Sequence, residues 1–138
     1  MEENTDKIQK LEEKLLSDLE VQEQSEQDYL LSLGTKIARW QSYYSKAKRK
    51  EYFLNSELDF KYKELYMYYL HEFNTKLDKK DIGVFIYADN EYRKLRSELQ
   101  EIQILTQFSE KAIKTLESQQ WALKTRLDYL QIYGIGSR

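Results

Sequence analysis

Apolar residues recur along most of this chain at steps of three and four, the spacing that places side chains on one face of an α-helix. The first such stretch repeats at Ile8, Leu11, Leu15 and Leu19 and opens near Asn4 and Thr5, both capping residue types, with Asp6 favourable to a helix N-terminus. Gln and Glu take over from Val21 to Ser25, where the pattern predicts fraying. A second stretch runs from about Glu26 to Phe73, with Leu30, Leu33, Ile37, Trp40, Tyr44, Ala47, Leu54, Leu58, Leu65 and Tyr69 in register. Unbroken, it would span about 70 Å at 1.5 Å per residue, and Gly34 or the pair Asn55-Ser56 is the expected place for a break.

The texture then changes. Residues 74–81 are polar and predict a loop, and Ile82-Gly83-Val84-Phe85-Ile86-Tyr87-Ala88 is short, apolar and β-branched. That composition predicts one short strand or buried extended segment, which would have to pair with another edge, such as one in a neighbouring subunit. Asp89 or Asn90 caps a last helix, expected from Glu91 to about Tyr133, in which Tyr92, Leu95, Leu99, Ile102, Leu105, Phe108, Ala112, Leu116, Leu123, Leu127 and Leu130 keep the helical spacing. Gly134 and Gly136 stop it. The expected fold is mainly α: a single helical domain over 1–138, with an acidic arm (1–25), a long middle helix (26–73), a loop with its extended segment (74–90) and a C-terminal helix (91–133). The helices pack as a hairpin or coiled-coil-like bundle.

Composition makes self-association attractive. Of 138 residues, 41% are hydrophobic and 33% charged, a thin supply for a monomeric core that a second copy could supplement. Cysteine is absent, which excludes a disulfide frame, a thiolate nucleophile and Cys-based metal sites. No apolar run approaches the roughly 18 residues of a membrane span, so the chain is expected to work in the cytoplasm.

The net charge of -2 conceals a segregation that points to a class of partner. Residues 1–35 hold 3 basic against 10 acidic side chains, residues 36–80 hold 11 against 6, and residues 81–138 hold 8 against 8. Within the middle segment, Lys36 to Lys50 contains Lys36, Arg39, Lys46, Lys48, Arg49 and Lys50 and no acid. Helical steps put Lys36, Arg39, Tyr43, Lys46 and Lys50 on one stripe beside the apolar face, and Tyr52, Lys61, Tyr62 and Lys63 continue the mixture. Cations that track phosphates, interleaved with rings that stack on bases, are the means by which proteins hold single-stranded nucleic acid. The bland alternative is a solvated helix face whose tyrosines belong to the core.

Enzyme chemistry finds little support. His71 is the only histidine, too few for a His-rich metal site, and the scattered glycines form no phosphate-cradling loop. Adjacent carboxylates such as Glu12-Glu13 fall on a helix surface. Neither a catalytic residue nor a cofactor or metal is expected.

Several short elements, in a shared order and spacing, carry a family resemblance. They are Trp40 and the basic run after it, Lys63-Glu64-Leu65-Tyr66-Met67-Tyr68-Tyr69, Ala88-Asp89, Trp121-Ala122-Leu123-Lys124, Asp128 and a glycine close to the C-terminus. In these the chain resembles the UvsY-type recombination mediators of tailed bacteriophages. The resemblance implies a ring-like homo-oligomer that binds single-stranded DNA in recombination, repair and replication. It further implies contact with the phage single-strand-binding protein and help in loading the phage recombinase. The family's DNA-binding basic pair lies just upstream of its tyrosine pair. Lys63 matches the first member, while Leu65 occupies the second, and Lys61 with the Lys46 to Lys50 cluster would compensate. The expected nucleic-acid-binding set is Lys36, Arg39, Tyr43, Lys46, Lys48, Arg49, Lys50, Lys61 and Lys63. The competing expectation is a coiled-coil scaffold or adaptor without nucleic-acid binding, whose basic stripe meets the acidic arm of a neighbouring subunit.

Overall fold

The structure is a computed structural model and describes residues 2–19 and 26–134. Its elements are α1 (Glu2–Leu19), α2 (Glu26–Met67), one π-helical turn (Tyr68–Glu72), α3 (Lys79–Ala88) and α4 (Asn90–Tyr133). No strand occurs among the described residues. The expected fraying at Val21–Ser25 and the stop at Gly136 lie outside them.

The chain divides into two compact units, Met1–Ser45 with Leu105–Arg138, and Lys46–Ile104. In the first unit, α1, the start of α2 and the end of α4 share one core. Tyr29, Leu33, Ile37 and Trp40 of α2 pack with Ala112 and Leu116 of α4, and Leu11, Leu15 and Leu19 of α1 cover them. The spacing explains the assembly, because steps of four, four and three on α2 and of four on α4 align each set on one face. Trp40 is fully buried and meets Tyr43 edge-on at 5.4 Å and Phe108 at 5.9 Å between ring centroids. In the second unit, Ile82 and Ile86 of α3 and Tyr92 of α4 are buried under Leu58, Tyr62, Leu65, Tyr66 and Tyr69, with Leu77 beside them.

Two expectations about local structure are corrected. The segment 82–88, expected as a strand or extended stretch, is part of α3. Ile82 and Ile86 stand four residues apart, so a helix buries both on one face of the second core, whereas a lone strand would have no edge to pair with. The amides of Asp81 and Ile82 donate to the Asp78 carbonyl at 2.9 and 3.0 Å, and Asp81 places an acid in the positive first turn. The second correction concerns α2, which runs for 42 residues without interruption at Gly34 or Asn55-Ser56. It ends in the π-turn, closed by a 3.0 Å bond from the Phe73 amide to the Tyr68 carbonyl.

Asp89 links α3 to α4. Its amide donates to the Ile86 carbonyl at 3.1 Å, its Oδ2 accepts from the Tyr92 amide at 3.0 Å, and its carbonyl accepts from the Arg93 amide at 2.9 Å. One residue thus ends one helix and caps the next. At the far end of α4, Gly134 takes φ +68°, the left-handed position that closes helices.

Candidate nucleic-acid interface

All nine residues of the expected set project from α2, three in the first unit and six in the second. In the first unit the side chains are engaged by α1. Arg39 lies 3.6 Å from the Asp18 carboxylate, and Lys36 Nζ donates to the Asp18 carbonyl at 2.8 Å while standing 4.6 Å from the centre of the Tyr29 ring. Tyr43 is half-buried against the first core, and its hydroxyl accepts from Lys14 Nζ. Arg39, at 40% exposure, keeps part of its guanidinium in solvent.

Asp18 is the centre of this cluster. It stands three residues after Leu15 and seven after Leu11, so it occupies the apolar stripe of α1 and enters the interior with it. Burying a carboxylate is costly unless it is paired and hydrogen-bonded. Here Trp40 Nε1 donates to Oδ2 at 3.0 Å, and Arg39 faces Oδ1. The Tyr29 hydroxyl shares its proton between the Asp18 carbonyl, at 3.0 Å, and Gln119 Oε1, at 2.9 Å. Burial, followed by the nearby Asp18 charge, pushes the Tyr29 hydroxyl above its ordinary pKa, and the Gln119 bond partly offsets this. Asp18 belongs to no motif, and its one signal in the sequence is an acid set on an apolar stripe.

In the second unit the basic side chains divide into engaged and free. Lys61 lies 2.5 Å from Glu91 and 3.8 Å from Glu64, and the hydrogen bond to Glu91 is the main cause that raises its pKa. Lys48 approaches Glu51 at 3.9 Å, one helical turn on. Lys46, Arg49, Lys50 and Lys63 are exposed and make no ion pair with any of the described residues. Tyr62, adjacent to Lys61 and Lys63, is turned inward, 6.4 Å from Tyr66 and 6.1 Å from Tyr92. His71 is exposed on the π-turn and lines an open groove with Leu65, Met67, Tyr68 and two carboxylates, Glu64 and Glu72. Among the described residues no group of three or more potential metal ligands gathers, and no helix is long and apolar enough to cross a membrane.

Long paired helices, a buried acid at the root of a basic helix and a row of free cations farther along it define a helical protein built around an electrostatically divided α2. The chain belongs to the UvsY family, whose model, described as "Recombination, repair and ssDNA binding protein UvsY", matches residues 14–134. Among solved structures it is similar to the recombination mediator protein UvsY of bacteriophage T4. One crystal form aligns at 19% identity with a TM-score of 0.80, over 91% of this chain and 96% of that one. Another aligns at 21% identity with a TM-score of 0.79, over 90% and 98%. No curated protein matches the chain. The shared fold reaches nearly the whole chain, whereas the family match begins only at residue 14, within α1.

Proposed function

We propose that the chain is a recombination mediator that binds single-stranded DNA on the exposed side of α2 and acts by stoichiometric binding rather than catalysis. In this reading it remodels a strand coated by the phage single-strand-binding protein so that the phage recombinase can load, and it works as a ring-like homo-oligomer. Membership of a family described by recombination, repair and single-strand binding supports the role. The observation that carries it for this chain is the row of four exposed cations, Lys46, Arg49, Lys50 and Lys63, without carboxylate partners among the described residues. A cation already held by a carboxylate must break that contact to meet a phosphate, whereas these four need only shed water and counterions. Lys63, which matches the family's basic pair, is among the free ones. Leu65 packs against the second core, so that position is spent on stability. Arg39 and Lys36 contribute less in this reading because Asp18 holds them, and Lys48 and Lys61 are partly neutralised.

The test is affinity for oligo-dT measured against salt concentration. A plot of log affinity against log salt should slope steeply downward, by about 0.7 per phosphate neutralised on a single strand. Reversing Arg49 and Lys50 to glutamate should flatten it by more than one such increment. Wild-type protein that ignores oligo-dT at low salt would leave the second reading, a coiled-coil scaffold or adaptor. That reading is favoured by large apolar side chains left in solvent, among them Leu31 and Trp121. In the structure the basic residues Lys36 and Arg39 meet the acidic arm of their own chain.

A further inference from the structure

The tyrosines that the sequence pattern offers as base-stacking rings are largely committed elsewhere: Tyr43 packs on the first core and Tyr62, Tyr66 and Tyr69 on the second. α2 leaves Tyr52 in solvent, at 68% exposure, and with it two rings of another kind. Phe53 is 62% and Phe60 67% exposed, although phenylalanine is among the residues most often buried. They stand seven residues apart on the side of the helix opposite Leu54, Leu58 and Leu65, with Arg49 one turn before Phe53 and Lys63 one turn after Phe60. Along this crest, cation, ring, ring and cation follow at steps of four, seven and three, all within the second unit. Ser56, between the rings, is small and exposed.

Resting on the single-strand reading above, we infer that Phe53 and Phe60 form a base-stacking platform on the α2 crest, with Arg49 and Lys63 holding the flanking phosphates. The dimensions agree. Seven helical residues advance about 10.5 Å, and three stacking steps of about 3.4 Å cover the same distance, so two bases fit between the rings. An apolar ring with no hydrogen-bonding group accepts any base by its π-face, which gives a contact tolerant of sequence. Charge favours this occupant over a second copy of the helix. Lys46, Arg49 and Lys63 outnumber the carboxylates on this face, Glu57 and the Lys61-held Glu64, so the crest is basic on balance and two copies laid crest to crest would oppose like charge. Glu57, one turn after Phe53 and one turn before Phe60, sets a carboxylate beside the rings, and Glu64, one turn after Phe60, is taken up by Lys61.

The experiment compares binding of oligo-dT with binding of an abasic deoxyribose-phosphate oligomer of equal length, for the wild-type chain and for the double variant Phe53→Leu with Phe60→Leu. Leucine is apolar, close in size and at home in a helix, so folding survives while the π-face is lost. Wild-type protein should prefer oligo-dT, and the variant should lose about tenfold or more of that affinity with its abasic affinity and light-scattering mass unchanged. A variant that binds oligo-dT as well as the wild type does, or a wild-type chain that binds both oligomers equally, overturns the platform while leaving phosphate-based binding intact. A variant whose mass falls along with both affinities assigns the crest to contacts between copies and also overturns it. Wild-type protein that binds neither oligomer removes the single-strand reading itself.

Discussion

Asp18 shows how much one buried acid can organise. Its side chain accepts from Trp40 and faces Arg39, while its carbonyl accepts from Lys36 and Tyr29, so four residues of α2 are oriented by one residue of α1. Replacing it with alanine strands the Trp40 N–H in the interior and frees Arg39. Leaving a buried donor unmatched costs about 1 to 3 kcal/mol, so Asp18→Ala should unfold at measurably lower urea, and Trp40→Phe in the same background should recover part of the loss. Alkaline pH probes the same neighbourhood. Tyr29 and Tyr92 have raised pKa values, chiefly through burial, and Lys61 has one raised chiefly by its bond to Glu91. In each case the folded chain holds its proton more tightly than the unfolded chain. The stabilisation is therefore complete below the ordinary values, 10.0 for the tyrosines and 10.5 for the lysine, and is lost as pH rises through the folded ones. Urea midpoints should fall steeply above pH 10 in the wild type and less steeply in Tyr29→Phe.

Among the elements, α2 and α4 were legible because their apolar steps of three and four are sustained and no proline interrupts them. The α3 segment was not, because local preference and burial point in opposite directions there. Val84, Phe85 and Ile86 favour extended backbone, but a lone strand has no edge to pair with, whereas a helix satisfies its own backbone and still buries Ile82 and Ile86 together in the second core. Gly34 misleads in a related way. It sits inside α2, where a glycine suggests a break, yet the flanking turns hold the helix through Leu33 and Ile37, both buried. A methyl group built on Gly34 would meet nothing within 4 Å. Gly34→Ala should accordingly stabilise the chain by about 0.5 to 1 kcal/mol through reduced freedom of the unfolded state. A thermal scan should show a higher Tm, and a lower one would mean that the glycine serves a close contact outside the chain.

For the molecule as a whole, the candidate site was only partly legible. The acid-free window from Lys36 to Lys50 marked α2 as the basic element, and the free cations Lys46, Arg49 and Lys50 lie in it. Sequence could not distinguish cations held by α1 or Glu91 from those left open, since that depends on which helices meet. It could not identify Phe53 and Phe60 as the exposed rings either, because an outward aromatic and an inward one differ only in the face they occupy.

The order of the two units along the chain bears on how the protein is made. Residues 46–104 are contiguous and supply both Ile82 and the residues that cover it, so that unit can close while later residues are still being added. The other unit draws on both ends: Tyr29 must wait for Gln119, 90 residues on. Until translation passes that point, Trp40 and Asp18 have no α4 to close over them, and the emerging chain carries an unfinished apolar face beside its most basic stretch. A ribosome stalled in the last turns of α4 would thus hold a folded 46–104 half together with an adhesive, unfinished one.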